Sequence, residues 1–153
     1  MKNKILTLLA FSLFSTTAFA EGNMRPYLPH GNAMKGIQAC VEMAQKNGWS
    51  MSIVVVDRGE DVVSSLRMDG ALPGSYKGAS LKAITALSWG TTTGEVNKIM
   101  DQYPVFKQFP GIMGIDGGAP VFSDKVVIAG VGVAGSAMNN DAECVQAAVA
   151  AMQ

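Results

Sequence analysis

The chain has 153 residues, with 12 Lys and Arg balanced by 12 Asp and Glu and a single histidine. That balance, with no basic stripe, argues against a nucleic-acid partner. Charged residues make up only 16% against 48% hydrophobic ones, which points to surface hidden in an oligomer or ligand site, or else to a well-packed alanine-rich monomer.

Lys2 and Lys4 precede an apolar run over residues 5–14, and Ala18-Phe19-Ala20 forms a small-x-small cleavage site. This is the pattern of a secretory signal peptide over residues 1–20. The run is too short for a membrane anchor and is broken by Ser12, Ser15, Thr16 and Thr17. Cleavage leaves residues 21–153 as one slightly acidic domain, periplasmic or secreted, with no membrane span. In an oxidising compartment the two cysteines, Cys40 and Cys144, read as a disulfide; two separate buried thiols are the alternative. A bridge would close a loop of about 100 residues, worth roughly 4–5 kcal/mol in the chain-entropy account.

After a polar lead-in over residues 21–29, Asn32 is placed to cap a helix over residues 33–47. Ala33, Ile37, Cys40, Val41 and Ala44 form its apolar stripe, and Gly48 stops it. Residues 50–57 read as a buried strand, 58–61 as a turn and 62–68 as the hairpin partner. Residues 75–89 predict a helix with a face of small residues, Ala79, Ala83 and Ala86. Thr92 and Glu95 then match a capping box for a short helix to Gln102. Residues 103–111 are aromatic, proline-bearing and irregular.

The glycine-rich stretch 114–136 reads as a second hairpin, with strands over 119–122 and 126–133 and a turn at Ser123-Asp124-Lys125. Gly130, Gly132 and Gly135 strip side chains from its second strand, which suits a neighbouring helix, a partner subunit or a flat ligand. A final helix spans residues 139–152. The order predicts an α+β fold of the profilin or PAS kind, an antiparallel sheet of about five strands with helices on both faces.

Gly130 to Gly135 fits G-x-G-x-x-G, but too little chain follows for a second parallel strand, so a dinucleotide site is excluded. One histidine without a nucleophile elbow makes no hydrolytic triad, and one histidine makes no zinc site of usual ligands. A single axial imidazole does hold iron in haem proteins, which leaves that role to His30; a solvated residue in the lead-in is the alternative. Met34, Met43, Met100 and Met152 read as helix packing. Arg67 and Lys82 could hold a ligand's carboxylates, or pair structurally with Asp69.

Arg67-Met68-Asp69-Gly70-Ala71, Lys82-Ala83-Ile84-Thr85-Ala86, Gly117-Gly118-Ala119-Pro120 and Gly130 to Gly135 with Asp141-Ala142-Glu143-Cys144 together resemble the GlcG/HbpS haem-binding family. That family includes the C-terminal domain of PduO-type proteins. The resemblance implies a profilin-like domain assembled into dimers to octamers. It also implies haem binding, with extracellular members acting as haem sensors or scavengers beside a signalling partner, and weak haem breakdown in some. An N-terminal histidine is one axial-ligand option in the family, which makes His30 the expected iron ligand. Met68 and Tyr76 are the next candidates, with Arg67 and Lys82 facing the propionates. Relatives often carry a histidine where this chain has Leu72-Pro73-Gly74-Ser75. Two other readings stand beside this one. The first is a cofactor-free oligomeric module whose glycine-rich surface binds a protein. The second is an accessory enzyme acting on a small organic acid.

Overall fold

Four hydrophobic runs pair into one antiparallel sheet whose two faces are claimed by different helices. The computed structural model describes residues 25–153; the expected leader peptide and its cleavage site lie outside them. In chain order the elements are α1 (His30–Asn47), β1 (Ser52–Asp57), β2 (Val62–Arg67), α2 (Ser75–Trp89) and α3 (Thr93–Gln102). A 3-10 helix (Pro104–Gln108), β3 (Gly118–Ser123), β4 (Val126–Ala134) and α4 (Met138–Met152) complete the fold. The strands lie in the order β2-β1-β4-β3, all antiparallel. The α+β class and the two helical faces match the expectation, with four strands in place of about five. Pro104 and Pro110 sit in the connection that would have had to supply another, and it folds as a 3-10 turn and loop.

β1 explains the layering. Its run Ile53-Val54-Val55-Val56 is β-branched throughout and fully buried, because a central strand between two helical layers has no solvent face. Ile53 and Val55 point to the larger core beneath α1 and α4, with Val131, Val133, Val145 and Ala148. Val54 and Val56 point the other way, to Ala79 and Ala83 of α2. Period-two alternation thus divides one strand between two cores.

The glycines of β4 belong to the second interface. Gly130 and Gly132 are buried and face α2: a Cβ on Gly132 would sit 2.6 Å from the Ala83 nitrogen, and one on Gly130 2.9 Å from the Leu87 Cβ. Together with the alanine face of α2 they let helix backbone lie directly on strand backbone. Of the three occupants the sequence left open for that ribbon, the neighbouring helix is the one present. The ribbon is therefore not a surface offered to a ligand or partner, which removes the basis of the glycine-surface interaction reading.

Across the sheet, the disulfide joins Cys40 of α1 to Cys144 of α4, both fully buried. α1 begins three residues earlier than expected. Pro29 holds the extended N-cap conformation (φ −61°, ψ 139°), and its carbonyl accepts from the Asn32 and Ala33 N–H groups. The Asn32 side chain instead donates to the Met152 carbonyl at the end of α4, 3.0 Å away. Gly48 ends α1 in the left-handed region, and Thr92 caps α3 by accepting from the Glu95 N–H, both as the spacing predicts. No helix among the described residues is long and apolar enough to cross a membrane.

Candidate functional site

Because α1 starts at His30, that histidine is the first residue of a rigid helix rather than part of a lead-in. Its side chain is exposed. One turn on, at i+4 and hence on the same face, lies Met34. Met34 is 44% exposed, and its sulfur accepts a hydrogen bond from the Ser64 hydroxyl of β2 at 3.0 Å. The bond restrains a side chain that would otherwise be mobile. Met34 also borders an open groove of about 430 Å³ whose other walls are Gly31, Lys35, Gln38, Ala39 and Glu42; His30 lies beside it and not in its lining. An imidazole and a thioether therefore share one stripe of α1, whereas Lys35, five residues after His30, lies further round the helix. Sequence reasoning assigned Met34 to packing and did not single out Lys35; a helix start at His30 would have shown the i, i+4 pairing.

The other expected site residues lie elsewhere. Arg67 and Met68 do meet, in a groove of about 420 Å³ completed by Val41, Gln45, Leu66 and Asp69. Met68 packs against the main core. This groove is at the other end of α1: His30 precedes Val41 by about 17 Å of helix at 1.5 Å per residue. Tyr76 is on the opposite side of the sheet. Ser64 and Ser65, adjacent in β2, point to opposite faces; Ser64 touches Met34 of α1, and Ser65 lies 3.4 Å from the Tyr76 hydroxyl of α2. The folded chain thus does not bring Arg67, Met68 or Tyr76 to His30.

Lys82 is not a surface cation. It is 3% exposed, and its ammonium donates to Asp141 Oδ2 at 2.8 Å and to the Val133 carbonyl at 2.9 Å. A propionate outside the fold cannot reach it, so the expected role of Lys82 beside a ligand's carboxylates gives way to a structural one. Its partner is Asp141, not Asp69. Asp141 also accepts from the Ser136 N–H through Oδ1. Burial raises the Asp141 carboxyl above its ordinary value, outweighing the downward pull of Lys82 and of the Ser136 N–H. The pair links α2 on one face to α4 on the other, past the start of β3. Gly117 is bare at that crossing: a Cβ there would fall 2.7 Å from the Asp141 Cβ and 3.0 Å from the Lys82 ammonium.

Among the described residues no three His, Cys, Asp or Glu side chains cluster to cage a metal ion.

The comparisons with known proteins agree with one another. Residues 28–150 match the family model described as haem-degrading protein HbpS-like. The protein GlcG of Escherichia coli (strain K12) is 35% identical over 98 residues, covering 63% of this chain and 73% of that one. A crystal structure of HbpS superposes with a TM-score of 0.82 at 38% identity, over 87% of this chain and 95% of that one. A crystal structure of a PduOC:heme complex superposes with a TM-score of 0.78 at 26% identity, over 84% of this chain and 96% of that one. With the match running through all four strands and all four helices, this chain belongs to the HbpS-like family.

Proposed function

We propose that this protein binds haem outside the cytoplasm and serves in haem sensing, scavenging or storage. The observation that carries the reading is His30, an exposed imidazole on the first turn of α1, in a family with a relative solved as a heme complex. His30 would supply the axial nitrogen, and the Met34 thioether, one turn on along the same stripe of α1, would lie against the porphyrin ring, where sulfur–aromatic contact is favourable. When bound, the haem supplies an iron centre capable of ligand binding and electron transfer; the chain orients it through α1. One exposed helix face would cover a single side of a flat ring and leave the other side to solvent or to a second subunit.

A homo-oligomer is part of the same proposal. Tyr27 (74% exposed), Leu72 (69%) and Val62 (51%) are apolar side chains left on the surface of one chain, as expected of faces that meet another subunit. A sensor protein outside the cytoplasm is the natural listener for a reversibly loaded haem.

Haemin titration of the apo-protein tests the reading. A saturable Soret band is expected, lost or weakened at least tenfold by His30→Ala and blue-shifted or broadened by Met34→Leu. A Soret band unchanged by His30→Ala would remove His30 from the account, and no saturation at all would remove haem. Light scattering reads the oligomer in the same samples.

A further inference from the structure

On the face of the sheet away from α1, a second groove has been given no role. It encloses about 360 Å³ and is lined by Leu81, Ile84 and Trp89 of α2, by Phe109 and Ile112 of the following loop, and by Glu60 of the β1–β2 turn. Three features set it apart. Its walls are apolar and partly aromatic, and Trp89 is held by an edge-to-face contact with Phe106, centroids 5.5 Å apart at 88°. Glu60 is the single ionisable residue of the lining; the Ser88 hydroxyl donates to its carboxylate at 3.2 Å, which aims it across to α2. The Thr85 hydroxyl, also in the lining, is already taken by the Met113 N–H at 2.9 Å. Third, Glu60 sits in the left-handed region at φ 66°, where glycine is the comfortable occupant. The turn does contain a glycine, Gly59, but one position too early to relieve the strain. Glu60 is exposed, so its carboxylate stands at the rim of an apolar cleft, where a strained backbone and a polar group beside apolar walls suit a ligand.

We propose that this groove binds an apolar organic cation, an aromatic amine or quaternary ammonium, with Glu60 facing the charge and Trp89 and Phe109 facing the ring. The charge complementarity is specific. A cation gains both the carboxylate and the aromatic faces, whereas an anion, haemin with its propionates included, is repelled by Glu60. The site is thus separate from the haem reading in place and in sign of charge.

The test uses the full mature chain with its disulfide intact, labelled with nitrogen-15 and titrated with 2-phenylethylammonium, neutral 2-phenylethanol and anionic phenylacetate. The Trp89 indole N–H signal should shift and saturate with the ammonium, with roughly five- to tenfold weaker binding of the alcohol and none detectable of the carboxylate. Glu60→Gln should remove most of the preference for the ammonium over the alcohol, leaving only the part that the aromatic faces supply. Glu60→Gly should do the same while raising the melting temperature, which shows that the lost selectivity is not lost folding. Equal binding of ammonium and alcohol by the unmodified protein would overturn the proposal, as would a Trp89 signal that no probe moves. Concentration-dependent changes at Trp89 that track a monomer–oligomer transition would assign the groove to a second copy instead. Displacement of the ammonium by haemin would assign it to the haem site. Failure of the haem reading appears separately, in His30→Ala and the Soret band.

Discussion

The Lys82–Asp141 pair allows the sharpest check on how this fold is held. Both side chains are 4% exposed and 2.8 Å apart. Lys82→Met removes the ammonium and leaves Asp141 with the Ser136 N–H as its remaining donor. Stranding a buried charge in this way costs about 3–5 kcal/mol. The carboxylate can escape by taking a proton, so the cost must depend on pH. In the unmodified protein burial already raises the Asp141 carboxyl above its ordinary 3.8. A raised carboxyl holds its proton longer in the folded chain than in the unfolded one. Its contribution is therefore complete below about pH 3.8 and is lost as pH climbs through the raised value. Removing Lys82 takes away a downward influence and widens that window. Urea unfolding should therefore show Lys82→Met destabilised by about 3–5 kcal/mol at pH 7 and by distinctly less at pH 4. The double variant Lys82→Met/Asp141→Leu, which strands no charge, should recover most of the loss. A Lys82→Met variant within about 1 kcal/mol of the parent, or a loss equal at both pH values, would refute the reasoning.

Other consequences follow from the same packing. Gly132→Ala would put a methyl group on the Ala79 carbonyl and push α2 off the sheet; about 1–3 kcal/mol of stability should be lost by urea unfolding. Cys40→Ala/Cys144→Ala opens the cross-link between α1 and α4 and should lower stability by about 4 kcal/mol, with a lower thermal midpoint and little change in far-ultraviolet circular dichroism. Thr92→Ala leaves the Glu95 N–H without its cap and should cost about 1 kcal/mol, read in the same unfolding curves.

Much of the fold was legible because local chemistry and global packing agree. The strands at 52–57, 62–67 and 126–134 are where β-branched runs and turn residues place them. α2 keeps its predicted limits because Gly90 takes the left-handed C-cap, φ 62°. The start of α1 was not legible. Asn32 has the residue type of an N-cap, yet its side chain is drawn to the end of α4, residues that only the folded chain brings near. The partner of Lys82 was likewise out of sight: Asp69 is near in sequence, whereas Asp141 becomes near through the sheet. Periodicity records which face a residue occupies within its own element, not which element covers that face.

The same distinction explains why the family was easier to see than the site. Lys82, Gly117, Gly130, Gly132, Asp141 and Cys144 carry much of the resemblance, and every one is engaged inside the fold, in an ion pair, a close helix–strand contact or a disulfide. They specify how α2 and α4 sit on the sheet. His30 and Met34 lie on the exposed first turns of α1, outside the motifs that carry that likeness. Glu60 lies in an exposed turn. Such residues can change without disturbing the core, so chemistry particular to this chain is to be sought there. His30→Ala and Glu60→Gln should alter ligand binding with little effect on unfolding, and substituting Gly132 or Lys82 should do the reverse. If His30→Ala or Glu60→Gln instead destabilised the fold as much as Lys82→Met does, that division between scaffold and surface would be wrong.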